Sequence, residues 1–309
     1  MFNKPSFSII VPTYNEEKDI YRTLNALEAL DWDGYEVIIV DGHSTDKTIE
    51  IIKGYANRLS YFSLLFQPES KRKGVAEARN IGIKAAKNNV LVILNADVIL
   101  PRDFLGRIAP YYLEGKYWVS VFDRVLNTEK LYPRYVGAEG YYVYTVKGAP
   151  WVWTEGFSCR KDAALEVGLF SEDMPGFSGE DVDFGVELEK RYPGVRATEI
   201  IVPHIAPDTL KEFWWQQRAR GKGRTNYYYY AKHFSLFHII LNTILSTVSR
   251  LVKIVIPLPI IRAWHISLYS GRRHKDFIPF MWISYVKDAG MIIGMWQALF
   301  RVINVGWNK

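Results

Sequence analysis

Two acidic segments carry the residue types best suited to catalysis in this chain of 309 residues. The first follows a run of apolar residues, and the second follows a glycine about eighty positions later. Their polar residues are Asn95 and Asp97 in the first segment, and Glu180, Asp181 and Asp183 in the second. One carboxylate can hold a divalent cation beside phosphate groups while another removes a proton. This division predicts a transferase that acts on a nucleotide-activated substrate, if the fold brings the segments together.

Regular alternation of strand and helix patterns in the first hundred residues provides the elements that must position these side chains. Strands are predicted at 7–11, 36–40, 61–66 and 90–94, and helices at 16–30, after Ser44 and at 74–87. Continuously apolar strands separated by helices indicate a parallel sheet that is covered on both faces. Ligands of such sheets bind at the carboxyl ends of the strands.

Polar residues cluster where three of these strands end. The segments are 12–17, 41–46 and 95–97. Ser44 is predicted to cap the helix that follows the second strand. Each segment also has a purely structural alternative, since the first can be a turn with a helix cap and Asp41-Gly42 can be a turn without any ligand. Their common position at one edge of the sheet favours a binding site. Asp97 there is suited to Mg²⁺ or Mn²⁺, which prefer oxygen ligands.

Charge is distributed unevenly along the chain. Residues 211–309 contain 15 Lys and Arg against 3 Asp and Glu, a net charge of +12, whereas residues 1–210 contain 24 against 30, a net charge of −6. We therefore predict an α/β domain at 1–210 and a basic, apolar helical region at 211–309. A basic region can bind nucleic acid, a membrane surface or phosphorylated substrates. Its many apolar residues favour the membrane over nucleic acid.

The apolar runs of the second region suit a membrane interface. Residues 233–249 and 254–261 contain no Lys, Arg, Asp or Glu, but neither run is a clean span of about 20 apolar residues. Amphipathic helices lying in the headgroup region fit best, one or two short spans are an alternative, and a soluble helical dimer surface is another. We expect a location at the cell membrane with the active site facing the cytoplasm, and the single cysteine, Cys159, agrees with a reducing compartment.

In order and spacing, the motifs resemble those of family 2 glycosyltransferases over roughly residues 6–225. The motifs are Pro12-Thr13-Tyr14-Asn15-Glu16, Val40 to Asp46, Lys73-Gly74 with Ala78 to Gly82, Asn95-Ala96-Asp97, and Gly179-Glu180-Asp181. The resemblance implies an enzyme that inverts the anomeric centre and has the GT-A fold, which is a Rossmann-like, mostly parallel mixed sheet flanked by helices. Membrane-associated C-terminal helices would follow it.

The resemblance also implies a donor site for a GDP- or UDP-linked sugar. Pro12, Tyr14, Glu16 and Asp41 would line the nucleoside pocket, Arg79 would lie near the base or diphosphate, and Asn95 and Asp97 would occupy the metal and diphosphate position. Asn95 departs from the family pattern, because a carboxylate is usual there. His204 matches a metal ligand of some relatives, with a histidine packed at a strand end as the alternative. We therefore expect Asp97 and His204 to bind Mn²⁺ or Mg²⁺.

The acceptor side is implied at the second acidic segment. Asp181 matches the catalytic base, and Glu180 would position the acceptor or the sugar. Trp153 and Gly156 belong to an aromatic segment suited to sugar stacking, although ordinary core packing is an alternative. Gln217, Arg218 and Arg220 would stabilise the leaving diphosphate, or they face a membrane. Gln217 and Arg220 have the spacing seen in cellulose and hyaluronan synthases, but Gly221 replaces the tryptophan of those enzymes.

Together, these expectations predict an inverting glycosyltransferase. It would move a sugar, for which we expect mannose from GDP-mannose, to a lipid-linked acceptor such as a polyprenyl phosphate or a lipid-linked oligosaccharide. A processive polysaccharide synthase is an alternative, which the missing tryptophan disfavours. A nucleotidyltransferase would need a basic, glycine-rich loop where Pro12 to Glu16 stand. A non-catalytic carbohydrate-binding or scaffold protein at the membrane would not need Asp97, Asp181 and the basic cluster together.

Overall fold

The protein folds into two compact units. The computed structural model describes residues 4–69, 74–146, 154–174, 179–255 and 258–307. Unit 1 consists of Met1–Arg124, Val152–Glu172 and Asp181–Ile205, and unit 2 consists of Val125–Trp151, Asp173–Glu180 and Ala206–Lys309. The region predicted at 211–309 lies within unit 2, to which two earlier segments also belong.

A mixed sheet forms the centre of unit 1. Its strands within the described residues are β1 (Phe7–Thr13), β2 (Tyr35–Asp41), β3 (Phe62–Phe66), β4 (Val90–Ile93), β5 (Trp118–Val125), β6 (Phe157–Arg160) and β7 (Gly194–His204). Their order is β3-β2-β1-β4-β6-β5-β7. The first four are parallel neighbours, and β6 runs antiparallel to both β4 and β5. The four predicted strands and their parallel arrangement are confirmed.

Alternate residues of the central strands pack on opposite faces of the sheet. Ile9, Val37 and Val92 belong to the apolar cluster on one face, whereas Ile10 and Ile38 belong to the cluster on the other. Successive side chains of a strand point to opposite faces. Since both faces are covered, the central strands are apolar at most positions, as the sequence pattern indicated.

Helices cover the sheet and build unit 2. The described helices are α1 (Ile20–Glu28), α2 (Thr48–Ala56), α3 (Val75–Ala85), α4 (Phe104–Leu113), α5 (Leu131–Gly140), α6 (Lys161–Glu166), α7 (Glu180–Arg191), α8 (Leu210–Asn226), α9 (Leu236–Val255), α10 (Leu258–Ser267) and α11 (His274–Trp307). α1 and α4 pack on one face of the sheet, and α3, α6 and α7 pack on the other. The two faces are therefore covered as the alternating pattern predicted.

Ser44 does not cap the second helix, so that prediction was wrong. α2 begins at Thr48, and its first N–H donates to Asp46 Oδ1 at 3.0 Å. The Ser44 hydroxyl instead donates to Asp41 Oδ2 at 2.7 Å and accepts from the Asn15 N–H at 2.8 Å. The turn after β2 is thus tied to the end of β1, and this competes with a role at the helix start.

Unit 2 combines an apolar core with buried ion pairs. Tyr135, Phe213 and Phe280 lie fully buried in its core cluster. The buried Glu139 carboxylate binds Lys287 and Arg262, and although burial opposes ionisation, these cations lower its pKa to about 2. Removing either cation would leave a buried charge without full compensation, which is costly.

Glycines allow α8 and α11 to cross closely. A Cβ atom on Gly221 would lie 2.2 Å from the carbonyl oxygen of Met291, and one on Gly294 would lie 2.1 Å from the carbonyl oxygen of Arg218. Backbones in such close contact leave no room for any side chain. This packing explains why glycine stands at position 221, where a tryptophan would separate the helices.

The described helices include none that is both long and apolar enough to cross a membrane. α9 nevertheless has an exposed apolar face. Its members are Phe237, Leu241, Ile244, Leu245, Val248, Leu251 and Val252. At 100° per residue these side chains fall within about 120° of the helix circumference. α9 is therefore strongly amphipathic, with an apolar face open to solvent.

Candidate active site

The predicted site residues of the first two strands lie at the carboxyl edge of the sheet. Pro12 is buried within β1, and Tyr14, which follows that strand, has an exposed side chain. Thr13 and Asp41 are neighbours in the register of β1 and β2. The edge thus carries an exposed ring beside a buried polar pair.

Asp41 is fully buried and its carboxylate is held by protein donors. It accepts hydrogen bonds from Thr13 Oγ1 at 2.8 Å, from the Ser44 N–H at 2.7 Å and from Ser44 Oγ. A carboxylate with these partners shapes the loop after β2. The pattern matches the turn interpretation of Asp41, and its predicted contact with a nucleoside stays a prediction.

Glu16 lies half-buried near Asp97. Burial, followed by the charge of Asp97, raises the pKa of Glu16 to about 7, with smaller contributions from Asp19 and Asp46. Its backbone N–H donates to Thr48 Oγ1 at 2.7 Å, which fixes the segment after β1. Carboxylates that oppose each other's ionisation in this way favour a bound cation.

Asp97 and His204 are brought together by the pairing of two chain segments. Val98 forms an antiparallel bridge with His204, and the Ile205 N–H donates to the Asp97 carbonyl oxygen at 3.1 Å. His204 Nδ1 lies 3.6 Å from Asp123 Oδ2. Burial raises the pKa of the Asp97 carboxyl group. The predicted proximity of Asp97 and His204 is therefore present in the fold.

Asp97 and His204 fit the binding of a divalent cation. Asp97 Oδ1 and His204 Nδ1 are buried, and neither hydrogen-bonds to another described residue. Buried polar atoms are otherwise almost always satisfied. A carboxylate oxygen with an imidazole nitrogen suits Mn²⁺ better than Mg²⁺. Within the described parts of the chain, no three His, Cys, Asp or Glu side chains form a complete metal site. Further ligands would have to come from substrate or water.

A hydrogen-bonded chain crosses the edge of the sheet beside Asp97. Arg79 Nη2 donates to Asn95 Oδ1 at 3.0 Å and to Thr154 Oγ1 at 2.9 Å. Asn95 Nδ2 donates to Glu155 Oε1 at 3.1 Å. Arg79 is buried against the Phe170 ring. In this arrangement Arg79 orients Asn95, and its predicted contact with the base or diphosphate stays a prediction.

The two acidic segments converge on Glu155. Burial, followed by the charges of Asp123, Asp97 and Asp181, raises the pKa of Glu155 to about 8. Asp181 lies half-buried in the first turn of α7, where a helix N-terminus attracts negative charge. Glu180 is buried at the first position of the same helix. The tertiary structure thus brings Asp181 and Asp97 into one electrostatic neighbourhood.

Gly156 has a structural reason to be glycine. Its φ is +91°, and a Cβ atom there would lie 3.1 Å from side-chain carbons of both Val121 and Val202. Its N–H donates to the Ile93 carbonyl oxygen at 3.2 Å. Trp153, the other residue predicted to bind the acceptor, lies outside the described residues.

The predicted cationic motif lies on α8 of unit 2. Gln217 is fully buried, and its Nε2 donates to Gln216 Oε1 at 3.1 Å. Arg218 donates to Gln297 Oε1 at 2.9 Å, and Arg220 contributes to the lowered pKa of Glu139. These contacts belong to the packing of unit 2, and binding of a diphosphate by this motif stays a prediction.

Three residues of this site, Asp123, Thr154 and Glu155, were not predicted from the sequence. Asp123 lies in β5, and the other two lie just before β6. Their position beside Asp97 depends on β6 running antiparallel to β4, which alternation of strands and helices does not predict. The only signal in the sequence was the polar pair 154–155 within an otherwise aromatic segment.

Comparison with known families gives a match over half of the chain. A model described as Glycosyl transferase family 2 matches residues 8–165. Probable glycosyltransferase YdaM of Bacillus subtilis is 25% identical over 254 residues, which are 75% of this chain and 58% of that protein. The chain thus spans less than two thirds of the length of this curated relative.

A second curated relative comes from Methanococcus voltae. It is the dolichyl N-acetyl-α-D-glucosaminyl phosphate 3-β-D-2,3-diacetamido-2,3-dideoxy-β-D-glucuronosyltransferase. Identity is 39% over 100 residues, which are 32% of this chain and 31% of that protein.

Among solved structures, the mannosyltransferase PcManGT from Pyrobaculum calidifontis, in complex with GDP-Man and Mn²⁺, is similar over almost the whole chain. The TM-score is 0.66 at 19% identity, and the match covers 97% of this chain and 88% of that one. At 19% identity this similarity shows a shared fold and nothing more.

Proposed function

Because the chain belongs to glycosyl transferase family 2, we propose that it transfers one mannose residue from GDP-mannose to a lipid-linked acceptor. The protein is a glycosyltransferase that uses a nucleotide-sugar donor, and it has an α/β, GT-A-like fold with a mixed sheet flanked by helices. The observation that carries the proposal is that Asp97, which lies beside His204, and Asp181 both act electrostatically on Glu155.

We propose complementary tasks for the two acidic segments. Asp97 and His204 would hold a divalent cation, which supplies positive charge to the leaving diphosphate. Asp181 would accept the proton of the acceptor hydroxyl group as that oxygen attacks the anomeric carbon. That oxygen attacks the face opposite the nucleoside diphosphate, which departs with the bonding electrons, so the configuration at the anomeric carbon inverts.

The nature of the donor is supported by the relative of known structure. PcManGT was crystallised with GDP-Man and Mn²⁺, and it shares the fold of this chain. The carboxylate and imidazole pair, Asp97 and His204, has the ligand chemistry that suits Mn²⁺. Transfer of a single sugar is favoured over processive synthesis, because the close helix crossing excludes a tryptophan at position 221.

Support for a lipid-linked acceptor comes from unit 2 and from one relative. The apolar face of α9 is exposed, and residues 211–309 carry a net charge of +12. Basic residues beside an apolar helix face favour binding to an anionic lipid surface. The Methanococcus voltae relative is named for a dolichyl-linked sugar phosphate. We therefore propose a location on the cytoplasmic face of the cell membrane.

A donor and acceptor screen tests this function. Purified protein with Mn²⁺ is incubated with radiolabelled GDP-mannose, or with UDP-linked sugars, and with polyprenyl phosphate or a lipid-linked oligosaccharide. We expect label from GDP-mannose to enter the fraction extracted by organic solvent. Transfer only to water-soluble sugars or proteins would refute the lipid-linked acceptor, and transfer only from UDP-sugars would refute the donor.

Vesicle flotation tests the proposed membrane contact of α9. We expect the protein to float with vesicles of phosphatidylglycerol and phosphatidylcholine and to detach at high salt, since screening weakens attraction between charges. Leu245→Glu, which places a charge midway along the length of the apolar face, should reduce the bound fraction at least tenfold, about 1.4 kcal/mol.

Leu165→Glu in α6 is the matched control, because Leu165 is also exposed on a helix but lies in unit 1. Equal binding of Leu245→Glu and the wild-type protein would contradict the proposal. A stable dimer that Leu245→Glu dissociates in lipid-free buffer would instead assign this face to a second copy of the chain.

A further inference from the structure

The side-chain amide of Asn95 is held in one orientation. Its Oδ1 accepts from Arg79 Nη2 at 3.0 Å and from Thr154 Oγ1 at 3.2 Å, and its Nδ2 donates to Glu155 Oε1 at 3.1 Å. Guanidinium groups only donate, so the end of the Asn95 amide that faces Arg79 must be the oxygen, and the nitrogen is left to donate to Glu155. The two ends of the amide are therefore distinguished by their partners, and Glu155 is attached to the end that donates.

The position of Glu155 follows from the strand order. β6 runs antiparallel to β4, with Phe157 opposite Ile93, so the residues before β6 meet the residues after β4. The Gly156 N–H completes this pairing by donating to the Ile93 carbonyl oxygen. Glu155 is consequently fixed beside Asn95 and Asp97 by the sheet itself.

Glu155 lies between groups that serve the two ends of the proposed reaction. Asp97 belongs to the side that would hold the diphosphate, and Asp181 belongs to the acceptor side. Both act electrostatically on Glu155. The group that is transferred must lie between the leaving diphosphate and the catalytic base, and Glu155 is hydrogen-bonded to Asn95 beside the position proposed for the diphosphate.

We propose that Glu155 binds a hydroxyl group of the transferred sugar, with Asn95 holding it in position. This inference rests on the proposed glycosyl transfer. A carboxylate repels phosphate but accepts strong hydrogen bonds from hydroxyl groups. The pair presents one carboxylate and one amide to the sugar. Glu155, just before β6, thus supplies the carboxylate that position 95 lacks.

An exchange of the two side-chain types tests the pair. In Glu155→Gln, the new amide oxygen can still accept from Asn95, so a purely structural contact survives while the charge is lost. We expect this variant to bind GDP-mannose about tenfold more weakly, because hydrogen bonds to charged groups are about twice as strong as neutral ones. Binding of GDP, which lacks the sugar, should stay within about twofold of the wild-type value by the same reasoning.

The second variant, Asn95→Asp, places a carboxylate against Glu155 and should also weaken sugar binding. In the double variant, Asn95→Asp with Glu155→Gln, the carboxylate accepts from Arg79 and from the new amide. We expect it to recover most of the affinity for GDP-mannose. Binding is measured by calorimetry at a saturating Mn²⁺ concentration and at a pH above 8, where Glu155 is ionised, with Glu114→Gln after α4 as an exposed control.

Several outcomes would overturn the inference. Equal affinities of wild type and Glu155→Gln for GDP-mannose would leave Glu155 with only a structural role. Equal losses for GDP and GDP-mannose would place it away from the sugar, and a loss reversed by more Mn²⁺ would make it a metal ligand. A double variant no better than Asn95→Asp would show that the two residues do not act as a pair. If the wild-type protein binds no nucleotide sugar, the proposed function itself fails.

Discussion

Asp181→Asn is expected to lower the rate of sugar transfer by ~10²–10⁴-fold, the usual contribution of a positioned general base. Asparagine keeps the size of aspartate but cannot accept the proton of the acceptor hydroxyl group. The variant should bind GDP normally, because Asp97 and His204 are unchanged. Initial rates of transfer and calorimetric binding of GDP provide the two measurements.

Asp183→Asn is the matched control for this experiment. Asp183 lies in the same helix, α7, two residues further on, and is half-buried like Asp181. We expect this control to retain most of its activity. Near-normal turnover by Asp181→Asn would refute the assignment of the base, and a parallel loss of GDP binding would show that the variant disturbs the donor site.

Asp97→Asn is expected to abolish the response of the protein to Mn²⁺ and to reduce transfer by about 10²-fold or more. The amide preserves the shape of the side chain but loses the charge that attracts the cation. The wild-type protein should be stabilised against heating by Mn²⁺ with GDP, and the variant should not. Asp103→Asn, exposed before α4, is the control.

The effect of Mn²⁺ should also depend on pH. Burial in the folded state raises the pKa of Glu16 to about 7 and that of Glu155 to about 8, well above the ordinary value of a glutamate. Folding therefore favours their protonated forms, and the stability contributed by these groups is lost as pH rises through 7 and 8. A bound cation compensates the charges that form. We expect Mn²⁺ to raise the melting temperature more at pH 8 than at pH 6.

Two results would contradict this account of the metal site. Stabilisation of Asp97→Asn by Mn²⁺ to the same extent as the wild-type protein would remove Asp97 from the set of ligands. A Mn²⁺ effect that is equal at pH 6 and pH 8 would show that the cation does not interact with the ionisation of Glu16 and Glu155.

Local sequence pattern was sufficient for the parallel part of the fold. The centres of β1, β2 and β4 are buried on both faces, so runs of Val, Ile and Leu mark them, and the intervening helices repeat apolar residues on one side. Because carboxyl ends of parallel strands meet at one edge, the positions of Glu16 and Asp97 at a common edge also followed. These inferences need only the period of the pattern and the order of the elements.

The same reasoning could not assign individual roles at that edge. Asp41 and Ser44 hydrogen-bond to each other, and whether a polar residue faces a ligand or a neighbouring loop depends on contacts between distant segments. In the sequence, Gly221 was notable only because it replaces the tryptophan of cellulose and hyaluronan synthases. In the structure, it permits the close approach of α8 and α11.

The chain by itself determined that two acidic segments exist, that one follows a buried strand, and that the other begins a helix. Only the tertiary structure decided that they meet around Glu155. The reason is the reversed direction of β6, which carries Glu155 to the end of β4 and fixes it against Asn95. A contact between positions 95 and 155 is made by strand pairing, and neither residue carries a local signal of it.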